Sequence, residues 1–493
     1  MSAQFKIKAA DPASVVRLER ELGLPRFIAA TLVARGIDNP AAVHRFLAPS
    51  LERDWLDPYI IPGLSDVADA LEAAVKRGDH ILVFGDFDLD GISATTVLTR
   101  GLRALGAQAT PFIPLRFEEG YALSQAAITR ACSFGPDFIV TVDCGIACKA
   151  EAAAVVEAGL GLAITDHHEP VDLVPEGVPV ADPKCDANCP SSILAGVGVA
   201  LKLVQVLGGR LGQPHLWRDF TDFATLGTVA DLMPMRDENR ALVSDGIARM
   251  NAAPRPCIAA LLATSGAADK PVSATNLSFS VIPRLNAAGR MGDAQLALDL
   301  LMTDDFEEAN RLATKLESVN DQRRAIEAEL SEIAKAQAAE IYHGQRALVV
   351  SGESWHEGVK GIVASRLVNT YGVPSLLFTI DGDEARGSGR SVEGFSLFQA
   401  VCACGDLMER YGGHPMAAGI TLKAENVPRF RERINQYAAK TCPEMPAQVL
   451  RIDCKLNPAA LSPEMPQSLA PLEPYGSGNP QPLFGLYGME LQQ

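Results

Sequence analysis

Three short apolar runs in this chain each end on an aspartate: residues 81–86 (ILVFGD), 137–143 (DFIVTVD) and 160–166 (LGLAITD). Each is followed by glycine or polar residues and then by an alanine-rich amphipathic stretch. From about Val67 to Ala260 this alternation predicts βαβ units, and hence a parallel sheet covered by helices. The constraint reaches beyond fold class. In such sheets ligands sit beyond the carboxyl ends of the strands, which is where these aspartates fall.

The rest of the chain divides by texture. Residues 1–60 read as a helical lead-in. Residues 304–342 read as one long helix, in which Leu312, Val319, Ile326 and Ile333 recur every seven positions. Leu316 and Leu330 form a companion row that Arg323 and Gln337 interrupt, with Arg323 expected to snorkel from a packed face. A second, smaller α/β unit follows, with glycine-rich turns at RGSGRS and GGHPMAAG, and after Thr441 a small β-domain opens. Across 493 residues no apolar run approaches the ~18 residues of a membrane span, and MSAQFKIKAA lacks the apolar core of a signal peptide. Ten scattered cysteines lack a second pair at zinc-site spacing, and predict a reduced, cytoplasmic protein. The net charge of −16 argues against a chain that coats nucleic acid with its whole surface, while leaving room for a local basic groove.

The sharpest chemistry lies in Asp86-Phe87-Asp88-Leu89-Asp90-Gly91. In an extended chain, alternate residues point the same way, so three carboxylates would share a side and raise one another's pKa unless a cation compensates. An EF-hand is excluded, because Val97 occupies the twelfth position, where a bidentate glutamate is required. The remaining structural reading makes Asp90 a cap for a helix starting near Ile92, which leaves two aspartates unexplained. Asp143, Asp166-His167-His168 and Asp231 follow other apolar runs. Taken singly each is weak evidence; parallel topology would bring all four loops to one edge. A sulfur-free set of carboxylates and imidazoles selects Mg²⁺ or Mn²⁺. Five aspartates (86, 88, 90, 143 and 231) outweigh one divalent ion, so two ions and hydrolysis of a phosphate ester are expected.

DFDLDG, VDCG, TDHH and TVAD resemble, in order and spacing, the four motifs of the DHH phosphoesterase superfamily, and GRSVEG with GGHPMAAG resembles its companion DHHA1 domain. RFEEGYALS, LAGVGVALKL, RLNAAGRMGDA, WHEGVKGIVASRL and YGSGNPQPLF narrow the resemblance to the RecJ family of single-stranded-DNA-specific exonucleases. The domains implied are a helical lead-in (1–60), a DHH catalytic domain (61–303), a connecting helix (304–342), a DHHA1 substrate-binding domain (343–441) and a partial OB-like domain (442–493). Asp88, Asp90, Asp143, His167 and Asp231 match the metal ligands. Asp86 matches a further ligand or its supporting partner. His168 matches the catalytic histidine beside the scissile phosphate, and Asp166 the residue that orients the imidazoles. The implied reaction is in-line attack by a metal-bound hydroxide, releasing 5′-mononucleotides in the 5′→3′ direction during DNA repair and recombination.

For the substrate, Arg390, Ser391 and the turn Gly412-Gly413-His414 are expected to hold a phosphate. Arg116 and Tyr121 are expected to clamp and stack on the strand, and Arg284 and Arg290 to line its path. His356 reads as a cap. Two departures from the family pattern, Leu89 and Cys144, flank metal ligands and bear on metal preference or rate. The chain ends inside the OB-like region, so a weaker grip on DNA with intact metal chemistry is expected. Single-strand-binding protein and a helicase are the expected partners, and a monomer free of membranes the expected state. The alternatives are a DHH phosphodiesterase acting on short oligonucleotides or cyclic dinucleotides, and a non-catalytic replication scaffold.

Overall fold

The computed structural model describes residues 4–120, 122–446 and 449–489. The described chain forms two compact units. One comprises residues 9–319 with 453–493, and the other residues 1–8 with 320–452.

The first unit is built on a parallel sheet. Its strands are β1 (His80–Phe84), β2 (Gln108–Phe112), β3 (Phe138–Thr141), β4 (Gly161–Thr165) and β5 (Val180–Ala181), in the order β2-β1-β3-β4-β5. Every pairing is parallel. Alternation sends Ile81, Val83, Val140 and Ala163 into one apolar core, and Leu82, Phe84, Ile139, Leu162 and Ile164 into another on the opposite face. Both faces are dry, which is why the strands read as unbroken apolar runs rather than as a polar–apolar alternation. Helix α1 (Leu89–Ala104) follows β1, and α2 (Gly196–Arg210) packs against it. Two further helices, α3 (Thr221–Ala230) and α4 (Ile282–Arg290), complete the side of the sheet that carries the aspartates.

The lead-in is helical from Pro12, over Pro12–Leu22, Arg26–Ala34 and Pro40–Leu47, and shares a core with Leu472 from the C-terminal segment. Arg35 pairs with Asp453 at 3.2 Å, and buried Arg240 donates to the carbonyls of Phe46 and Glu473. Ahead of these helices, Gln4–Ile7 forms a strand parallel to Val449–Ile452 in the second unit, a pairing absent from a purely helical lead-in.

The 36-residue helix α5 (Phe306–Ile341) begins in the first unit and ends in the second. Its buried stripe runs through Ala309, Leu312, Ala313, Leu316, Asn320, Glu327, Leu330, Ser331, Ala334 and Ala338, while Ile333 is 47% exposed. Of the seven-residue row, Leu312 is buried and Val319 and Ile326 pack against the cores, whereas Ile333 faces solvent; the row interrupted by Arg323 is the more deeply buried. Arg323 does not snorkel. It donates to Asn320 at 2.7 Å and pairs with Glu327, so polar residues of the stripe bond one another, although among the described residues Asn320 Nδ2 and Arg323 Nε find no acceptor. In the second unit β6 (Leu348–Glu353), β7 (Ser375–Asp381), β8 (Glu384–Arg390), β9 (Met408–His414) and β10 (Ala417–Lys423) form a sheet in the order β9-β10-β8-β7-β6. Here β6 and β7 pair parallel and the rest antiparallel. Helix α6 (Glu357–Tyr371) is capped by His356, whose ring nitrogen accepts from Gly358 N at 3.1 Å. Among the described residues no helix is long and apolar enough to cross a membrane.

One ion pair inside the first core tests this packing. Lys202 on α2 meets Glu238 at 2.8 Å with both side chains fully buried, and its ammonium sits 3.7 Å from the Trp55 ring. Removing one partner strands the other charge in a dry site. Lys202→Met is expected to cost about 3–5 kcal/mol of unfolding free energy in urea denaturation, and adding Glu238→Leu to recover most of it. A loss below about 1 kcal/mol for the single variant would contradict this.

Candidate metal centre

The aspartates converge through a strand-to-helix turn, not through an extended segment. After β1 the chain bends at Phe87 and Asp88, and α1 already begins at Leu89. Asp88 is the N-cap, its Oδ1 accepting from Asp90 N (2.9 Å) and Gly91 N (3.1 Å). Asp90 therefore lies in the first helical turn and is not the cap. Its carboxylate accepts from Gly196 N (2.7 Å) and Val197 N (3.0 Å), the opening amides of α2. Two glycines make this closeness possible. A Cβ on Gly196 would lie 2.5 Å from Asp143 Oδ1, and one on Gly227 2.6 Å from Asp90 Oδ1. Leu89 and Cys144 bury their side chains in the apolar cores on opposite faces of the sheet, so neither lines the cluster.

Beyond β3, Asp143 adopts φ +61°, a left-handed backbone that aspartate tolerates better than most residues. Beyond β4 come Asp166, His167 and His168, and Asp231 caps the C-terminal end of α3. His167 Nε2 lies 3.0 Å from Asp143 Oδ1, 3.6 Å from Asp90 Oδ2 and 3.7 Å from Asp231 Oδ2. Among the described residues, three sets offer ligand atoms all within 4.8 Å of one another: Asp86, Asp88 and Asp143; Asp90, His167 and Asp231; and Asp143, His167 and His168. Asp143 thus belongs to the first and third sets, and His167 to the second and third.

Electrostatics mark this as a site built for cations. Burial, reinforced by neighbouring carboxylates, holds Asp86, Asp90 and Asp143 well above the usual carboxylate range. Burial, with Asp88 nearby, raises Asp231 to about 6. Burial, with the charge of His168 beside it, pushes His167 down to about 3, so it is a neutral imidazole with a lone pair to offer. Asp86 Oδ1 is buried and, among the described residues, accepts no hydrogen bond. Carboxylates crowded this closely, with an acceptor left over, fit a divalent ion.

Asp166 behaves differently. Its oxygens accept from the backbone N–H groups of Ile146 (2.9 Å), His167 (2.7 Å) and His168 (3.2 Å), and from His168 Nδ1 (2.7 Å). Against the cost of burial, the bond from His168 and its charge keep Asp166 below the usual range; against the same cost, Asp166 lifts His168 to about 9. Asp166 spends its oxygens fixing the loop and holding His168 as an imidazolium. Two contributors escape the sequence reading. Asn286, within RLNAAGR, accepts from Leu89 N at 3.2 Å. Asp182 ends β5 as the other aspartates end their strands, and burial raises it to about 7. The two-residue strand before it is too short to signal itself.

The expected substrate contacts fare unevenly. Arg116 lies 4.6 Å above the Phe87 ring, next to the aspartate turn, and Tyr121 lies outside the described residues. Arg284 is 7% exposed and committed to Glu317 and to the Ser280 carbonyl, so it does not line a strand path. Arg290 is half-buried at the end of α4. In the second unit Arg390 is half-buried at the end of β8 and donates to the Gly389 carbonyl at 2.8 Å. Ser391 is buried, and its hydroxyl donates to the Phe395 carbonyl at 2.7 Å, which removes it as a phosphate donor. Gly412, Gly413 and His414 are exposed residues of β9, paired with β10, and do not form a turn.

Comparison with known proteins matches the DHH family, N-terminal domain, to residues 80–228, the DHHA1 domain to 344–440 and the RecJ OB domain to 452–493. The chain is 36% identical to the single-stranded-DNA-specific exonuclease RecJ of Bacillus subtilis, over 97% of this chain and 61% of that protein. It is 38% identical to the Thermus thermophilus protein of the same description, over 88% and 64%. It thus spans less than two thirds of either. The Escherichia coli counterpart is 32% identical, over 100% of this chain and 88% of that one. The structure of Thermus thermophilus RecJ in complex with Mn²⁺ superposes with a TM-score of 0.87 at 33% identity, over 98% of this chain and 69% of that one.

The raised carboxylates predict proton-coupled metal binding. Without a cation, Asp86, Asp90, Asp143 and Asp231 hold protons at pH values where free aspartates do not. Bound ions need them ionised. Calorimetric titration with Mn²⁺ in buffers of different ionisation enthalpy should show protons released, more near about pH 6 than near about pH 8, with affinity rising as pH rises. Binding without proton release at the lower pH would contradict the cluster's electrostatics.

Proposed function

This chain belongs to the RecJ family, and on that premise we propose that it hydrolyses single-stranded DNA from the 5′ end, releasing 5′-mononucleotides with two Mn²⁺ or Mg²⁺ ions. One observation carries the reading: two sets of ligand atoms at one sheet edge, one from Asp86, Asp88 and Asp143 and the other from Asp90, His167 and Asp231, with Asp143 3.0 Å from His167. Asp86, Asp88, Asp90, Asp143, His167 and Asp231 would hold the ions. When bound, such a pair neutralises phosphodiester charge and lowers the pKa of the attacking water.

The protein's own groups do the rest. The amides of Gly196 and Val197 fix Asp90, and the Asp88 cap fixes the turn, so the carboxylates are placed before substrate arrives. His167 stays neutral and gives its lone pair to the cluster. Asp166 keeps His168 protonated, and that half-exposed imidazolium can donate to a phosphate oxygen as negative charge develops there. Arg116, beside the aspartate turn, and Arg290 supply positive charge for the strand, while Arg390, Gly412, Gly413 and His414 offer a separate anchor in the second unit. Ten free cysteines support a reduced, cytoplasmic setting. A nuclease on this substrate works where strands separate, so single-strand-binding protein and a helicase are its expected neighbours, and a monomer its working state.

Asp143→Ala removes a carboxylate of one ligand set that lies 3.0 Å from His167 of the other. Nucleotide release from a 5′-phosphorylated single strand should fall at least about a hundredfold, with the thermal midpoint kept within a few degrees. Undiminished Mn²⁺-dependent release would refute the assignment.

A further inference from the structure

Leu232 follows Asp231 directly, and two rules break at that one residue. Its backbone has φ +56°, a left-handed conformation in which a large apolar side chain is strained. Its side chain is 71% exposed, on a loop that otherwise turns apolar groups inward. The loop is pinned from both ends. Asp231 N donates to Gly227 O (2.9 Å), Leu232 N to Val229 O (3.3 Å) and Met233 N to Thr228 O (3.2 Å). Further on, Met235 N donates to Ser477 O (2.7 Å), Asn239 Nδ2 donates to Pro234 O (3.2 Å), and the Met235 side chain is buried. A strained backbone held by these bonds turns an apolar surface to water. The left-handed turn itself serves folding, because Leu232 N and Met233 N take the carbonyls of Val229 and Thr228 at the end of α3. Glycine would make that turn without strain or exposed apolar surface, so the choice of leucine is what folding leaves unexplained, and strain of this kind concentrates where a ligand is met.

We propose that Leu232 is the apolar wall against which the nucleobase next to the scissile phosphodiester packs. The proposal rests on the nuclease reading above and adds a base-contacting residue to it. The carboxylates and imidazoles of the cluster address the anionic part of a nucleotide; the part left to match an apolar side chain is the flat face of the base. Neighbouring Cα atoms lie about 3.8 Å apart, so a side chain on Leu232 is within one nucleotide's reach of a phosphate at Asp231. Every base has such a face, so the contact orders the terminal nucleotide without reading sequence.

The test crosses protein and substrate changes. Leu232→Ala and Leu232→Asn are compared with wild type on a 5′-phosphorylated single strand and on the same strand with an abasic site at the terminal nucleotide. Asparagine accepts the left-handed backbone, so Leu232→Asn should melt no lower than wild type. On the intact strand both variants should raise KM about three- to tenfold with kcat within about twofold. The abasic strand should raise the wild-type KM by a similar factor and leave the variants unchanged, because the missing base and the missing side chain remove one contact. An unaltered KM in the variants, or effects that multiply, would overturn the proposal. Fluorescence anisotropy with the same two strands separates it from the reading beneath it. If wild type releases no nucleotide yet binds the strand with an affinity that depends on Leu232 and on the terminal base together, the nuclease reading fails and the contact stands. If binding depends on neither, the contact fails.

Discussion

Mutual repulsion among buried carboxylates organises this molecule. Asp86, Asp90 and Asp143 are taken out of water within reach of one another, an arrangement that water cannot relieve and that positive charge can. Everything nearby serves to hold that unfavourable state. The opening amides of α2 bind Asp90, the Asp88 cap ties the turn, and Gly196 and Gly227 let backbone approach where a methyl group would collide. The energy to pack acids this way comes from two apolar cores on either face of a parallel sheet, which fix the strand ends whatever the loops prefer.

The two histidines show how environment divides the labour of like groups. Adjacent in sequence, they titrate in opposite directions: His167, buried among the cluster, is neutral, while His168, half-exposed against Asp166, is held as a cation. Asp166 is the hub of this division, because its oxygens are saturated by amides and one imidazole. The same logic accounts for its exclusion from the three sets of clustered ligand atoms.

Much of this was legible because parallel-sheet topology converts sequence pattern into place. Apolar runs ending on Asp86, Asp143 and Asp166 predict one edge, and the strands lie there in register. What escaped depended on local geometry or distant partners. The start of α1 at Leu89 moves the cap from Asp90 to Asp88, since an Asp side chain can cap at either position and the backbone decides. Ser391 reads as a phosphate donor until its hydroxyl is found on the Phe395 carbonyl. The α5 stripe is only partly read from Leu312, Val319, Ile326 and Ile333, because the middle of the more deeply buried row is polar, with Asn320, Arg323 and Glu327 bonded to one another in a way periodicity does not count. The strand Gln4–Ile7 has no local signal, its partner being at Val449–Ile452.

The central claim is that one cluster at the sheet edge holds two ions, with Asp143 of one ligand set beside His167 of the other. Anomalous diffraction at the manganese edge from Mn²⁺-soaked crystals tests it most directly. The account predicts two peaks about 3.5–4 Å apart, one among Asp86, Asp88 and Asp143 and the other among Asp90, His167 and Asp231. A single peak, or peaks away from these side chains, would contradict it.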